Sequence, residues 1–303
     1  MSRKRLSTYT APPAEVTRAL DELRARYEVP TAFPPEALAE AEAAATSWAQ
    51  DGPARLLAEG ARDARDLDLV TIDPPGSMDL DQAVLLERLS GQTDQAGAAA
   101  GEVGDVPEPS AAYRVHYAIA SLATFVTPGG ALDAELRRRG ETIYAPDAAT
   151  PLHPEVLSHG AASLLQDAER PACLWTIDLD ERGEVVSARV ERALVRSRAR
   201  LSYAQVQAAI DGQGALPQEA PADLPELLAE IGRLRLEREA ARGGISMTTP
   251  EQVVEVTEAA EATEESGAAS PAEDSEPAER PGPAGYRLAY RVPVPAEQYN
   301  AQI

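Results

Sequence analysis

Apolar side chains recur at helical spacing in two stretches near the start of the chain. Residues 13–28 and 35–60 combine this spacing with many Ala, Leu, Glu and Arg residues, which form helices readily. Pro30, Pro34 and Pro35 separate the two stretches, and proline cannot continue a helix from the turn before it. The pattern predicts a small N-terminal helical region that spans residues 1–65.

The pattern changes at about residue 66 to strands that alternate with helices. Short apolar runs that predict strands include LVTI, VLLERL and YRVHYAIA. Residues 174–195 predict a β-hairpin that turns at residues 181–183. Residues 201–210 and 225–242 have the spacing of amphipathic helices. Together these elements predict an α+β domain over residues 66–303.

Two segments interrupt this pattern and are predicted to be insertions. Residues 251–279 carry ten Asp or Glu and no Lys or Arg, in a mixture of Pro, Ala, Ser, Glu and Gly that cannot bury enough apolar surface to fold. We therefore expect residues 257–284 to form a disordered acidic insertion between two strands. Residues 92–112 are expected to form an enlarged hairpin loop.

The overall charge argues against a nucleic-acid binder, but it is unevenly distributed. A formal net charge of −22 has the wrong sign for contact with phosphates, although the acidic insertion contributes much of it. The local basic clusters are Arg137, Arg138 and Arg139, and Arg192, Arg196, Arg198 and Arg200. These arginines either meet a phosphate backbone or form a solvated face, and the sequence leaves both interpretations open.

The sequence contains no pattern that predicts membrane insertion or export. No apolar stretch approaches the length of a transmembrane helix, and the basic start MSRKRLSTYT is not followed by the apolar segment of a signal peptide. The protein is therefore expected in the cytoplasm, without a membrane partner. Cys173, the single cysteine, lies in an apolar strand and is interpreted as a small core residue, not a nucleophile.

The most informative chemistry lies in TIDPPGSMDLDQAV, residues 71–84. This segment places Asp73, Asp79 and Asp81 close together and contains no Lys or Arg. A turn rich in Pro and Gly follows the predicted strand and allows the three carboxylates to fold around one point. Hard carboxylate oxygens suit Mg²⁺ or Mn²⁺ better than Zn²⁺, for which the chain offers one Cys and three His. The alternative interpretation is a solvated acidic turn.

The same segment resembles the RNB catalytic domain, the nuclease core of ribonuclease II and ribonuclease R. The signature of that family is a strand ending in Asp-Pro, followed by an acidic cluster. Residues 113–135, 140–185 and 195–206 match the family's next segments in order. The resemblance covers residues 66–303 but not the C-terminal part of an RNB domain. It implies an RNB-type fold and a monomeric, hydrolytic 3′ to 5′ exoribonuclease. Such an enzyme uses Mg²⁺, or alternatively Mn²⁺, to degrade single-stranded RNA to nucleoside 5′-monophosphates.

The resemblance also implies roles for the acidic cluster. Asp73, Asp79 and Asp81 take the positions of the family's metal-binding aspartates, with Asp79 and Asp81 as the catalytic pair. Gln82 stands where the family has a further acid, and its amide carbonyl is expected to coordinate the cation without adding charge.

RNA contacts are implied at aromatic and polar positions. Tyr144 and Tyr203 correspond to family tyrosines that stack on bases, an interaction that does not depend on base identity. Met247 stands where the family usually has Phe, and Ser121 replaces the Asp of an I-A-D segment. The residues expected to contact RNA are Tyr144, Tyr203, Met247, Arg198, Arg200 and Asn300.

Two other functions remain open. Gln82, Ser121 and the missing C-terminal part of the family pattern favour a catalytically weakened RNA-binding or regulatory protein that keeps the RNB fold. The acidic segment 257–284 favours, less strongly, a scaffold that recruits a basic partner.

Overall fold

The computed structural model describes residues 14–89, 110–145, 147–245, 250–257 and 285–303. The helices are α1 (Ala14–Arg26), α2 (Pro35–Ala58), α3 (Ala131–Arg139), α4 (Tyr203–Ile210), α5 (Leu224–Ala241) and α6 (Pro295–Gln302). The strands are β1 (Arg62–Ala64), β2 (Val70–Asp73), β3 (Gln82–Arg88), β4 (Tyr113–Ala120), β5 (Ile143–Tyr144), β6 (Ala149–Thr150), β7 (Glu169–Leu179), β8 (Val185–Arg196), β9 (Ala199–Ser202), β10 (Glu251–Thr257) and β11 (Gly285–Arg291). A 3-10 turn (Leu122–Thr124) and a π-helical turn (Val156–Ala161) complete the described elements.

The chain divides into two compact units. The larger unit contains Ala32–Glu141, Pro151–Thr248 and Pro293–Ile303, and the smaller contains Met1–Thr31, Thr142–Thr150 and Thr249–Val292. The predicted insertions at 92–112 and 257–284 lie outside the described residues except at their ends. The predicted domain boundary at residue 65 stays a prediction.

The larger unit is built around a seven-stranded sheet with strand order β1-β8-β7-β4-β3-β2-β9. The β1–β8 and β2–β9 pairs are parallel, and the other neighbours are antiparallel. Two residues, Ser197 and Arg198, connect β8 to β9. Because so short a connection cannot cross the strands between them, the sheet must curl until its β9 end approaches β8.

Period-two alternation gives the sheet two apolar faces. Along β3, Val84 and Leu86 belong to one buried cluster and Ala83 and Leu85 to another. The first cluster joins the sheet to α4, α5 and α6; its members from those helices are Val206, Leu224, Leu227, Leu228, Ile231 and Ala296. A third cluster packs α2 against α3 and the π-helical turn through residues such as Trp48, Leu132 and Leu157.

Helix α6 is held close to α5 and α4. A Cβ at Gly232 of α5 would come within 2.4 Å of the Tyr299 Cβ on α6, so only glycine permits this approach. The Ala296 backbone N–H, in the first turn of α6, donates a hydrogen bond to Oε1 of Gln207 on α4 (2.9 Å). The position of α6 is therefore determined by two other helices of the larger unit.

The local elements predicted from periodicity are confirmed. Helices α1 and α2 fall within the two predicted helical stretches, and α4 and α5 match the two predicted amphipathic helices. Strands β7 and β8 form the predicted hairpin, with the Gly183 N–H donating to the Asp180 carbonyl in the turn.

The first basic cluster contains a buried arginine, which corrects the expectation that its members either meet phosphates or form a solvated face. The side chains of Arg139 and Glu135 are only 2% and 4% exposed and form an ion pair with Nε to Oε1 at 2.8 Å. Arg139 also donates to the carbonyls of Pro151 and Ala32, and its guanidinium lies 3.6 Å from the centre of the Phe33 ring. Neutralisation by a partner one helical turn away makes this burial possible.

The smaller unit contains helix α1 and two pairs of antiparallel strands. Strands β5 and β6 pair antiparallel, as do β10 and β11, where Glu251 lies opposite Arg291. Arg24 of α1 forms ion pairs with Asp21 and Asp147. Tyr144 on β5 is 76% exposed.

None of the helices in the described residues is both long and apolar enough to span a lipid bilayer.

Cys173 is half-buried on β7. The residue lies at the margin of the core, because its neighbours on the same face of the sheet, Ile119 and Trp175, are themselves 39% and 37% exposed.

Candidate active site

The acidic loop, residues 73–82, connects β2 to β3. Asp73 is the last residue of β2, and the turn after it is closed by a hydrogen bond from the Ser77 N–H to the Pro74 carbonyl (3.2 Å). Gly76 has φ of +85°, a left-handed conformation that suits glycine. The proline and glycine residues of the sequence thus produce the irregular turn that was expected.

A buried leucine and a serine anchor this loop. Leu80 is fully buried between Asp79 and Asp81, both of which are exposed. The Ser163 hydroxyl accepts a hydrogen bond from the Leu80 N–H (3.1 Å) and donates one to the Met78 carbonyl (2.6 Å). The Leu164 N–H donates to the Leu80 carbonyl (2.7 Å). These contacts determine where the two carboxylates lie relative to the sheet.

Replacing Ser163 by Ala is expected to lower the free energy of unfolding by about 1–3 kcal/mol, because the buried Leu80 N–H and Met78 carbonyl lose their partner. The measurement is urea unfolding followed by circular dichroism. The matched control is Ser158→Ala, since the Ser158 hydroxyl makes only a 3.5 Å contact with the Pro154 carbonyl. Equal unfolding midpoints for the two variants would show that Ser163 does not anchor the loop.

The loop concentrates negative charge. Asp81 keeps surface open to solvent, but the protein around its carboxylate excludes part of the water. This desolvation raises the pKa of Asp81, and the nearby charge of Asp79 raises it further. Among the described residues neither Asp79 nor Asp81 forms an ion pair with an Arg or Lys side chain, although Asp79 accepts a 3.4 Å hydrogen bond from the Ser77 hydroxyl. A cation bound here would therefore gain from two uncompensated carboxylates.

Two phenol groups face this charge. Burial raises the pKa of Tyr117 to about 12, with further contributions from Tyr203, Asp81 and Asp73. Burial also raises the pKa of Tyr203, although a hydrogen bond from Asn300 Nδ2 (3.4 Å) acts in the opposite direction. Both hydroxyls remain protonated at neutral pH, and that of Tyr117 donates its hydrogen bond to Gln82 Oε1 (2.6 Å).

Local capping positions Tyr203 at the start of α4. The Ser202 hydroxyl accepts a hydrogen bond from the Gln205 N–H (3.2 Å), and Gln205 Oε1 accepts one from the Ser202 N–H (2.8 Å). This reciprocal capping box fixes the first turn of the helix. Because β9, which ends at Ser202, pairs in parallel with β2, which ends at Asp73, Tyr203 begins its helix beside the acidic loop.

An open cleft of about 630 Å³ extends from these residues. Its floor is the face of the sheet formed by β4 and β7, and one wall is α6. The lining residues are Gln82, Tyr117, Ile119, Trp175, Ile177, Tyr203, Glu297, Asn300, Ala301 and Ile303. The cleft thus combines aromatic rings with amide and hydroxyl groups and lies beside the acidic loop, an arrangement that suits a nucleotide.

The chemistry of the donors fits a hard divalent cation. Asp73, Asp79 and Asp81 supply carboxylate oxygens, and the desolvated, unpaired charge of Asp81 favours a cation beside it. In the described part of the chain, no three His, Cys, Asp or Glu side chains already converge as a metal-binding group. The metal-binding roles of these residues stay predictions.

The residues expected to contact RNA lie in different places. Tyr203 and Asn300 meet in the cleft, whereas Tyr144 belongs to the smaller unit. Met247 lies outside the described residues. Arg200 approaches the acidic loop, with its guanidinium 3.8 Å from the Met78 sulfur. Arg198 instead pairs with Asp68 and donates to the Arg65 carbonyl.

Sequence reasoning missed three residues of this site: Tyr117, Trp175 and Ser163. Alternation along YRVHYAIA puts Tyr117 on the same side of its strand as Ile119, so the pattern carried a signal for their common face. Ser163 carried no such signal, because its partner Leu80 is distant in sequence.

Comparison with known proteins identifies the family. The sequence pattern of the RNB domain matches residues 61–278, most of the chain. The chain belongs to the RNB domain family, which confirms the resemblance and the predicted α+β fold.

Individual relatives match parts of longer proteins. Ribonuclease R of Acidithiobacillus ferrooxidans is 32% identical over 224 residues, which cover 74% of this chain and 44% of that protein. Ribonuclease R of Aquifex aeolicus is 28% identical over 249 residues, which cover 81% of this chain and 32% of that protein. The structure of Mycoplasma genitalium RNase R in complex with double-stranded RNA has the same fold, with a TM-score of 0.60 at 22% identity over 80% of this chain and 36% of that one. The chain therefore spans less than half the length of these relatives.

Proposed function

We propose that this chain carries the active site of a magnesium-dependent exoribonuclease that degrades single-stranded RNA from the 3′ end and releases nucleoside 5′-monophosphates. The proposal rests on two carboxylates, Asp79 and Asp81, that form no ion pair with an Arg or Lys among the described residues. They lie near the Tyr117 and Tyr203 hydroxyls, at one end of an open cleft in an RNB fold. Relatives named ribonuclease R support the reaction class. Mycoplasma genitalium RNase R has been solved with double-stranded RNA and with ribose-methylated single-stranded RNA, which supports RNA as the ligand class.

Phosphodiester hydrolysis needs charge neutralisation at the scissile phosphate and an aligned water molecule. Asp73, Asp79 and Asp81 would hold Mg²⁺, which when bound neutralises phosphate charge and makes a bound water more acidic. The carboxylates contribute their negative charge and their fixed positions on the anchored loop. Arg200, beside Met78 of that loop, is placed to attract a phosphate without being neutralised by a described acidic side chain.

The cleft would hold the RNA through its rings. Stacking of a base on an aromatic side chain contributes on the order of 1–3 kcal/mol and tolerates any sequence. Tyr203, steadied by Asn300, and Trp175 offer such surfaces in the cleft. We retain Tyr144 as a further stacking residue on the grounds of its 76% exposure and its correspondence to a family tyrosine.

A catalytically weakened RNA-binding protein is the second candidate function. The observation that favours it is the neutral Gln82 at the position of a family acid, with its carbonyl oxygen already engaged by the Tyr117 hydroxyl (2.6 Å). A site with one carboxylate fewer would bind its cation less tightly.

The experiment that separates the two functions is a time course with a 5′-labelled, 3′-tailed single-stranded RNA in Mg²⁺ and in EDTA. We expect a ladder that shortens from the 3′ end in Mg²⁺ and intact RNA in EDTA. A circular RNA of the same sequence is the control, because an exonuclease has no end to attack. Intact linear RNA in Mg²⁺, together with tight RNA binding, would favour the second candidate.

A further inference from the structure

The position of Gln82 is set by strand register and by one hydrogen bond. Gln82 begins β3 opposite Ile119 of β4, and Tyr117 lies opposite Val84, so Gln82 and Tyr117 are diagonal neighbours on one face of the sheet. The Tyr117 hydroxyl donates to Gln82 Oε1 at 2.6 Å. The phenol itself is half-buried, while the Gln82 side chain reaches the cleft.

This bond engages the oxygen of the Gln82 amide but not its nitrogen. Oε1 is the group that would ligate a cation, and it already accepts the Tyr117 hydrogen bond. Nε2 carries two donors, and within the described residues it donates to no protein group. The amide therefore directs its N–H groups toward whatever occupies the cleft, while the Tyr117 bond takes one of the two lone pairs of Oε1.

We propose that Gln82 is a hydrogen-bond donor to an oxygen of the RNA sugar-phosphate backbone and not a cation ligand, and that Tyr117 is the positioning residue that orients it. This inference rests on the proposed function, since it assumes that RNA occupies the cleft. It replaces the expectation that the Gln82 carbonyl coordinates Mg²⁺.

Charge explains why such a donor suits this place. Asp73, Asp79 and Asp81 already repel a phosphodiester until a cation is bound, and a further carboxylate at position 82 would add to that repulsion. A neutral amide instead supplies a donor at no cost in repulsion.

The test measures cation binding and RNA binding separately on the 303-residue chain. The variants are Gln82→Leu, Tyr117→Phe and the double variant. Mn²⁺ binding is followed by electron paramagnetic resonance without RNA, and binding of a fluorescent single-stranded RNA is followed by anisotropy in EDTA. Matched controls are Gln213→Leu, at an exposed glutamine that does not line the cleft, and Tyr27→Phe, at a tyrosine that is 68% exposed.

We expect the Mn²⁺ dissociation constant to stay within about twofold in all three variants, since none removes a cation ligand. The RNA dissociation constant should rise about tenfold in Gln82→Leu, the effect of losing one hydrogen bond to a charged group. A smaller rise is expected in Tyr117→Phe. The double variant should be no weaker than Gln82→Leu, because Tyr117 acts through Gln82.

Three results would overturn the inference. Mn²⁺ binding that weakens in Gln82→Leu as much as in Asp81→Asn would make Gln82 a ligand. RNA affinity unchanged in both single variants would remove the donor role. Additive losses in the double variant would show that Tyr117 contacts RNA independently. If these binding effects appear but no RNA is hydrolysed, the proposed nuclease activity fails while the role of Gln82 stands.

Discussion

Asp81→Asn is expected to slow removal of nucleotides from the 3′ end of single-stranded RNA by about 10³-fold, because a metal-held transition state loses several kcal/mol with one charged ligand. Asparagine has the shape of aspartate, so the buried Leu80 and the Ser163 bridge beside it are preserved. RNA affinity measured in EDTA should therefore be kept or rise slightly, because the substitution also removes one charge that repels the phosphodiester. The measurement is the initial rate of ladder formation on 5′-labelled RNA at saturating Mg²⁺.

The same substitution is expected to leave stability unchanged or to raise it in EDTA. Desolvation and Asp79 raise the pKa of Asp81 in the folded protein, so ionised Asp81 is disfavoured by folding at neutral pH. A neutral side chain removes that cost. A higher or equal melting temperature combined with lost activity would show that the carboxylate serves function at the expense of stability.

Asp51→Asn is the matched control for Asp81→Asn. Asp51 is an exposed carboxylate on α2 that pairs with Arg55 in the next turn. Its replacement should change neither the rate nor the Mn²⁺ affinity. Full activity in Asp81→Asn, or an equal loss in Asp51→Asn, would refute the catalytic role of the acidic loop.

Arg139→Met is expected to lower the free energy of unfolding by about 3–5 kcal/mol, because the buried Glu135 carboxylate loses its buried partner and keeps only Arg138, whose side chain is 54% exposed. The carbonyls of Pro151 and Ala32 lose their donors, and the contact with the Phe33 ring is lost as well. Urea unfolding at neutral pH measures the effect.

The control for Arg139→Met is its neighbour Arg137. The Arg137 side chain is 77% exposed and pairs with Asp133 across one helical turn, so Arg137→Met should cost less than about 1 kcal/mol. A double variant, Glu135→Leu with Arg139→Met, should be more stable than Arg139→Met alone, because no buried carboxylate is then left with only the exposed Arg138 as its partner. Similar losses in Arg137→Met and Arg139→Met would contradict the assignment of Arg139 to the interior.

Arg137 and Arg139 differ in burial, although no short-range sequence pattern distinguishes them. Arg137, Arg138 and Arg139 are adjacent and chemically identical, so composition predicts one basic cluster. The helical rotation between them decides that Arg139 faces Phe33 and Arg137 faces solvent. The Phe33 ring and the Pro151 carbonyl, which contact Arg139, lie outside its helix, so no short-range pattern predicts these contacts.

The candidate site shows the same division. Asp73, Asp79 and Asp81 lie in one short segment, so the acidic loop and the turn within it were predicted from the sequence. Tyr117 was not, because its contact with Gln82 depends on the register of β4 against β3. The segment between those strands gave no signal for that register.

Helices α1, α2, α4 and α5, strands β2, β3, β4, β7 and β8, the acidic loop and membership in the RNB domain family could all be predicted from the sequence. These follow from periodicity and from motifs that involve residues close together in the chain. Tertiary structure alone decided that Ser163 anchors Leu80, that Arg139 is buried and that the Gln82 oxygen is engaged by Tyr117. Each of these depends on contacts between distant segments, and their geometry is set by the packing of the whole sheet with its helices, which local propensity does not specify.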